Sequence, residues 1–241
     1  MRVLEHLCFL SEEVGVTELS KEMRINKATI YRILQTFVKT GFVTQDSKTE
    51  RYRPTMKILT LGNRVLNRLE IRSMANHDLK ELAIEINESV HLAIMDGYET
   101  VIIDKVEAND EMSIKFHIGR RSPLYSTGTG KVFLAAFEKK DLEKYFLTAK
   151  FVQYTPMTKV DPVSLNNAIV KVREAGYSLD NQENNVGISC VAAPIFDFSG
   201  KVVAAMSATG PSFRIESRSD LLWPKVVSTA QKISKKLGFT G

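Results

Sequence analysis

The chain is poor in the residues that carry most recognisable chemistry. Its 241 residues include only two cysteines, Cys8 and Cys190, far apart and outside any CxxC spacing. That excludes a disulfide framework and a thiolate zinc motif. No apolar run approaches the roughly 20 residues that a membrane-spanning helix needs. The first ten residues, MRVLEHLCFL, are broken by Glu5-His6 and lack the layout of a secretory leader. The four histidines, His6, His77, His91 and His117, show no HExxH or other metal spacing. His91 and His117 fall in strand-like segments and read as satisfied core groups. GxSxG is missing, and Cys190 lies in an apolar run that favours an inert thiol. Internal repeats and low-complexity tracts are missing too. These absences point to a reduced, cytoplasmic protein with no catalytic residues, no metal, no cofactor and no membrane partner.

What is there is ordinary in amount and uneven in place. Hydrophobic residues make 44% of the chain and charged residues 25%, a composition of globular proteins. The net charge is +5, and residues 1–72, with thirteen basic and eight acidic side chains, hold all of it. A basic head on a neutral body implies a polyanionic partner for the head alone.

The head is organised around TELSKEMRINKATIYRILQTFVKTG, Thr17 to Gly41. Thr17 is an expected cap for a first short helix, with Leu19 and Met23 one turn apart on its inner face. Arg24-Ile25 is the joint, and Asn26 is a good cap for a second helix. Ile30, Ile33, Leu34, Phe37 and Val38 then recur at i, i+3, i+4, i+7 and i+8, one apolar face at helical period. Gly41 is a natural stop. The opposite face carries Lys27, Ala28, Thr29, Tyr31, Arg32 and Gln35. Short, hydroxylated, amide and cationic groups at a helix start are what entry into the DNA major groove requires. An ordinary amphipathic helix pair is the competing reading of this window. The next residues favour DNA. Phe42 to Gln45 and Arg51 to Arg53 read as short strands about a polar turn, a basic wing placing Lys48, Arg51 and Arg53 near phosphate.

Around this head, residues 1–11 read as a helix turning Val3, Leu4, Leu7 and Leu10 inward. The pattern is already running by Val3, so a shortened or mis-assigned start is expected. Residues 55–72 read as a linker helix whose apolar stripe, Ile58, Leu61, Val65, Leu66 and Leu69, needs a partner. A second copy of itself and its own chain are both candidates. From Ser73 the pattern becomes mixed. A helix is expected at 76–87, strands at 90–95 and 100–106 joined by Asp96-Gly97, and a third strand at 113–118. Helices follow at 130–137, 141–147 and 164–175. Two apolar strands at 190–196 and 202–209 and a helix at 219–237 complete an α+β domain large enough to enclose a small ligand.

Ser126 to Lys131, STGTGK, fails as a phosphate loop. Tyr125 stands where the first glycine belongs and Val132 where Ser or Thr must follow the lysine. Two glycines opening a helix still present backbone N–H groups to an anion such as a carboxylate. A plain helix start is the alternative. Asp180 and Glu183 lie in a polar loop that needs no catalytic explanation.

Three stretches together, TELSKEMRINKATIYRILQTFVKTGFV, IGRRSPLYSTGTGKVFLA and GYSLDNQENNVGISCVAAPIFDFSG, resemble the IclR family of bacterial transcriptional regulators over nearly the whole chain. The wording GRRSPLYST is most similar to the branch responding to 2-keto-3-deoxygluconate and related sugar acids. The resemblance implies an N-terminal winged helix-turn-helix over 1–54, a linker helix over 55–72 and a GAF-like effector-binding domain over 73–241. It implies a homodimer or homotetramer on a double-stranded DNA operator. Carried over by motif, the effector pocket takes Gly128, Thr129, Asp180, Ile188, Cys190, Ser207 and Thr209. Hydroxyls at alternate positions 207 and 209 share one strand face, which agrees. The family usually has Ala where Gly128 stands, which implies a looser loop and a differently shaped site. It also usually has further residues ahead of the first helix.

The expected function is a repressor of sugar-acid or related carboxylate catabolism, released by a small carboxylate effector. Its carboxylate is expected at the loop–helix start, with Asp180 accepting from ligand hydroxyls. An activator of the same family, an enzyme on sugar acids with a DNA-binding appendage, and an architectural DNA binder are the alternatives. The enzyme lacks a nucleophile–base or metal set, and the architectural binder has no need of a neutral 169-residue body.

Overall fold

The computed structural model describes residues 1–109, 114 and 116–241. Within them the chain divides into two compact units, residues 1–69 and 70–241.

The first unit is three helices and a hairpin: α1 (Arg2–Phe9), α2 (Val16–Met23), α3 (Lys27–Lys39), β1 (Val43–Gln45) and β2 (Tyr52–Pro54), followed by α4 (Lys57–Leu66). Val3, Leu4 and Leu7 of α1, Leu19 of α2, and Ile30 and Leu34 of α3 close on Val43 and Tyr52 in one core. The cap of α2 differs from expectation. Gly15 takes the cap position in an extended conformation, and the Glu18 carboxylate accepts its N–H at 3.0 Å, leaving Thr17 inside the helix. A carboxylate three residues in satisfies the free donor and sits favourably at the positive end of the helix. Asn26 caps α3 as expected, accepting the Ala28 N–H at 2.8 Å. The far end of α3 is a Schellman closure: Phe42 N–H reaches Phe37 carbonyl at 2.9 Å and Gly41 N–H reaches Val38 carbonyl at 3.0 Å, with Gly41 at φ +74°. β1 and β2 pair antiparallel, Thr44 opposite Arg53.

The stretch 55–72 divides. α4 ends at Leu66, Asn67 to Leu69 leave the helix, and α5 (Glu70–Ile86) begins the second unit. That unit continues with β3 (Ser89–Asp96), β4 (Glu99–Val106), β5 (Arg121–Pro123), a 3-10 turn at Leu124–Ser126, α6 (Gly128–Ala135), α7 (Lys139–Thr148), α8 (Pro162–Ala175), β6 (Ser178–Asn181), β7 (Ile188–Phe196), β8 (Val202–Pro211), α9 (Ser212–Ser217) and α10 (Ser219–Lys236). The strands form one antiparallel sheet in the order β5-β4-β3-β8-β7-β6. The strand expected at 113–118 falls across residues outside the described set. β5 and β6 were not anticipated; each is only three or four residues long and shows too little alternation to read.

α5 and α10 pack on the sheet and on each other through Leu79, Leu82, Ile86, Val226, Ala230 and Ile233. α6 packs on β6, β7 and β8. Its approach is close because the facing residues are small. A Cβ on Gly130 would stand 2.1 Å from the Leu124 carbonyl oxygen, and one on Gly128 would stand 2.7 Å from Cys190 Sγ. The conformational freedom usually argued for such glycines matters less here than the missing side chain. Buried Glu88, at the turn into β3, accepts Arg214 Nε at 2.6 Å and Nη2 at 2.8 Å, with Arg218 Nη1 at 3.3 Å. This fork ties the start of the last helices to the sheet.

Candidate nucleic-acid interface and effector cavity

The first candidate surface is the outer face of α3. Lys27, Ala28, Thr29, Tyr31 and Arg32 are all exposed, and α3 carries no acidic residue. Gln35 is half-buried, its Nε2 donating to Tyr52 Oη at 3.3 Å. The face exists because Ile30 and Leu34 are anchored below it. Lys39 ends the helix with a further cation, and Lys57 Nζ caps the Thr40 carbonyl at 2.6 Å while lying 4.8 Å over the Phe42 ring.

The wing is less free than its composition implies. Its turn is held by Asp46 Oδ1, which accepts the N–H groups of Thr49 at 2.8 Å and Lys48 at 2.9 Å. These bonds hold the Asp46 carboxyl below the usual range. Lys48 projects from the turn and makes no ion pair among the described residues. Arg51 and Arg53 are engaged within the head: Arg51 Nη2 meets Glu18 Oε1 at 2.5 Å, Arg51 Nη1 donates to the Glu13 carbonyl at 2.9 Å, and Arg53 Nε lies 3.2 Å from Glu13 Oε1. Both arginines brace the wing against the segment entering α2.

The second candidate is a cavity inside the sheet-and-helix unit. Strand register assembles it. Asp180 stands opposite Cys190 on β6 and β7, Cys190 opposite Thr209 on β8, and Ser207 opposite His91 on β3. These side chains share the face that α6 covers, and Thr129 closes the row from above. Thr129, Asp180, Ile188, Cys190, Ser207 and Thr209 all line the cavity, together with Ala93, Thr100, Ile102, Phe116 and Ser122. Gly128 does not line it. It is wedged against β7, with its N–H turned to the Cys190 thiol. An Ala there would collide with Cys190, so the loop is tight rather than loose.

The anion cradle expected at the start of α6 is largely occupied by the protein itself. The Gly130 N–H donates to Thr127 Oγ1 at 3.0 Å and the Lys131 N–H to the Thr127 carbonyl at 3.0 Å. Lys131 turns away, donating to the Leu179 carbonyl at 2.7 Å and to buried Glu183 Oε1 at 2.5 Å, which Lys159 also meets at 2.8 Å. Asp180 is buried beside this pair, Oδ1 accepting the Glu183 N–H at 2.9 Å. Desolvation raises its carboxyl to about 6 against the opposing charge of Lys131. Burial likewise pushes the Cys190 thiol up, so it remains protonated and unreactive.

The sequence reading missed several polar groups of this cavity. His91 is buried as expected but not satisfied: Nδ1 lies 3.3 Å from Thr209 Oγ1, while Nε2 has no hydrogen-bond partner among the described residues. His117, expected in the core, is exposed. Arg120 and Asn185 meet in the cavity wall, Nη2 donating to Oδ1 at 3.0 Å. The arginine pair in IGRRSP was the available signal. Only the fold separates its members, sending Arg121 out to Asp96 and Glu99 and Arg120 inward.

A helix-turn-helix head and a separate unit holding a cavity with convergent polar groups narrow the reading, and comparison with known proteins gives the family. Residues 1–47 match the IclR helix-turn-helix domain and residues 63–235 match the bacterial transcriptional regulator IclR C-terminal domain. The chain belongs to the IclR family. It is similar to the HTH-type transcriptional regulator KdgR of Escherichia coli, 34% identical over 228 residues, 94% of this chain and 87% of that protein. It is also similar to the HTH-type transcriptional repressor AllR of Escherichia coli, 31% identical over 98% of this chain and 88% of that one. Among solved structures, that of the Thermotoga maritima IclR superimposes with a TM-score of 0.76 at 34% identity, covering 99% of this chain and 96% of that one. As an IclR-family member the protein is a DNA-binding transcriptional regulator, not an enzyme, and its C-terminal unit is the effector domain.

Proposed function

We propose that this IclR-family protein represses an operon for catabolism of a sugar acid or related small carboxylate, and that the carboxylate binds in the cavity of residues 70–241 and releases the DNA. The observation that carries this is the cavity's lining: hydroxyls of Ser207, Thr209 and Thr129, a carboxylate at Asp180 and an amide at Asn185, set among Ala93, Ile102 and Ile188. A few convergent polar groups in an apolar wall suit a small polyhydroxylated ligand. The similarity to KdgR and AllR supports the repressor sense.

On the DNA side, Lys27, Thr29, Tyr31, Arg32 and Gln35 of α3 read the major groove, and Lys48 meets phosphate. Arg51 and Arg53 contribute chiefly by holding the wing in place. The protein acts in the cytoplasm as a homodimer or a tetramer built from dimers. α4 supports self-association: none of its residues is buried, and Leu59 and Val65 are 57% and 64% exposed. Two recognition helices must then meet half-sites about 34 Å apart or a multiple of it, so a modest effector-driven change in spacing weakens binding.

The test is paired. Calorimetry measures binding of sugar acids to the whole protein, and fluorescence anisotropy measures its operator with and without them. Asp180→Ala is expected to lower effector affinity by about one to two decades, the cost of one buried polar partner. Its effector-free operator affinity should stay near the parent value. If Asp180→Ala and Ser207→Ala both bind effector normally and still release DNA, the cavity is not the effector site.

A further inference from the structure

Arg120 is unlike the other cations sheltered in its unit. Lys131 is held by Glu183, and Arg214 and Arg218 by Glu88. The Arg120 guanidinium lines the cavity, half-buried, with no carboxylate partner among the described residues. Its contacts are neutral: Asn185 Oδ1 at 3.0 Å, and the Phe116 ring, whose centroid lies 3.8 Å from Cζ. Such contacts orient a planar fork without neutralising it. Burial lowers the Arg120 pKa, the mark of a charge that lacks compensation.

His91 supplies a second unmet group. The Phe116 ring contacts both, its centroid 5.3 Å from that of His91. Desolvation, then the charges of Lys105 and Arg120, hold His91 down at about 4 against the smaller opposing effect of Glu107, so the imidazole is neutral at pH 7. One nitrogen then donates and the other accepts. Nδ1 engages Thr209 Oγ1, which lies 3.4 Å from Ser207 Oγ, and Nε2, buried in the cavity wall, is left without a hydrogen-bond partner among the described residues. A ligand hydroxyl, both donor and acceptor, satisfies Nε2 in either tautomer. The start of α6 is the weaker anion site, because its Gly128, Gly130 and Lys131 N–H groups are already engaged.

We propose that Arg120 is the counter-ion for the effector's carboxylate and that His91 Nε2 takes a hydroxyl of the same ligand, which makes the cavity selective for hydroxy acids over plain carboxylates and over neutral polyols. The proposal rests on the reading of this cavity as the effector site. Asp180 lies among the hydroxyl-binding groups, and a carboxylate placed on Arg120 lets the ligand present its hydroxyls to Asp180, Ser207 and Thr209.

The experiment is calorimetric titration of the full chain with D-gluconate, 2-keto-3-deoxygluconate, hexanoate and neutral glucitol, at low and high salt. The proteins are the parent, Arg120→Gln, Arg120→Lys and His91→Phe, each checked for its thermal midpoint. The parent is expected to bind at least one hydroxy acid and to reject hexanoate and glucitol. Arg120→Gln should weaken the acid about 10- to 100-fold and flatten its salt dependence, as loss of a charge-assisted fork does. Arg120→Lys should recover part of the affinity and the salt dependence, and it carries the test if Arg120→Gln does not fold. His91→Phe should narrow the preference for gluconate over hexanoate. Hydroxy-acid binding within about threefold of the parent in folded Arg120→Gln, a difference of under 1 kcal/mol, overturns the Arg120 assignment and leaves the effector reading standing. If the parent binds none of the acids, the effector reading itself falls, and the Arg120 assignment with it.

Discussion

The two candidate surfaces of this protein are built in opposite ways. The surface proposed to face DNA is the outside of one helix, contiguous in sequence from Lys27 to Gln35, and it is presented because Ile30 and Leu34 pull the other side into the core. The proposed effector cavity is the inside of a sheet, made from residues on all six of its strands, on α6 and on the loops between them. The first needs a stable support and little precision. The second needs strand register to within one residue, because a one-residue slip turns every side chain to the other face. Its polar groups also sit where water is scarce, so each unmet group carries an energetic cost and each charge is shifted.

The largest expected effect tests the support of the first surface. Leu34 is fully buried under α3. Leu34→Ala should cost about 2–5 kcal/mol of head stability, the range for a buried leucine. Hydrogen exchange or thermal melting would read it, and slow exchange should persist on β7 and β8, which belong to the other unit. Loss of protection in both units together would mean the head and body do not unfold independently.

Next is the cost of the buried charge in the second surface. Asp180 binds its proton more tightly folded, at about 6, than unfolded, at 3.8. Between those values the folded state holds more protons, so this group's contribution to stability falls as pH rises through the window. Asp180→Asn keeps an acceptor for the Glu183 N–H and removes the charge. It should gain up to about 3 kcal/mol on the parent as pH rises from 4 to above 6, and the difference should be flat outside that range. Urea titrations of both proteins at several pH values check it; a constant difference would show that Lys131 compensates the Asp180 charge.

At the DNA surface, Arg32→Ala should weaken operator binding by about 1–3 kcal/mol in a way that depends on base identity. Lys27→Ala should act more uniformly across sequences and lower the salt slope by about one unit. Stability should hold in both, since neither side chain packs in the core. Gel-shift titrations at two salt concentrations separate the two roles, and unchanged affinity in both variants would remove α3 as the recognition helix.

The smallest effect expected is in the wing. Arg51 pairs with Glu18 in a half-exposed setting. Arg51→Ala should therefore change stability by only about 0–1 kcal/mol. If it weakens DNA binding as strongly as Arg32→Ala, the side chain leaves Glu18 for phosphate in the complex, and the wing shares the helix's role.

How far the sequence could be read follows the same division. Helical period, the Asn26 cap and the Gly41 stop specified α3, because each acts within a few residues of itself. The β3–β4 hairpin was legible through Asp96-Gly97 for the same reason. Family motifs brought Gly128, Thr129, Asp180, Ile188, Cys190, Ser207 and Thr209 forward as one group, and all but Gly128 line the cavity. What the sequence by itself determined was therefore local: where helices start and stop, which strand face is polar, and which end of the chain is basic. The tertiary structure decided what depends on distant neighbours. Glu18 displaced Thr17 as the capping group. Cys190 left no room for a side chain at Gly128. Of two adjacent arginines, Arg121 found Asp96 and Glu99 at the surface, while Arg120 turned into a cavity without a carboxylate partner among the described residues. Burial and opposite charge set these outcomes, and both are properties of where other segments lie.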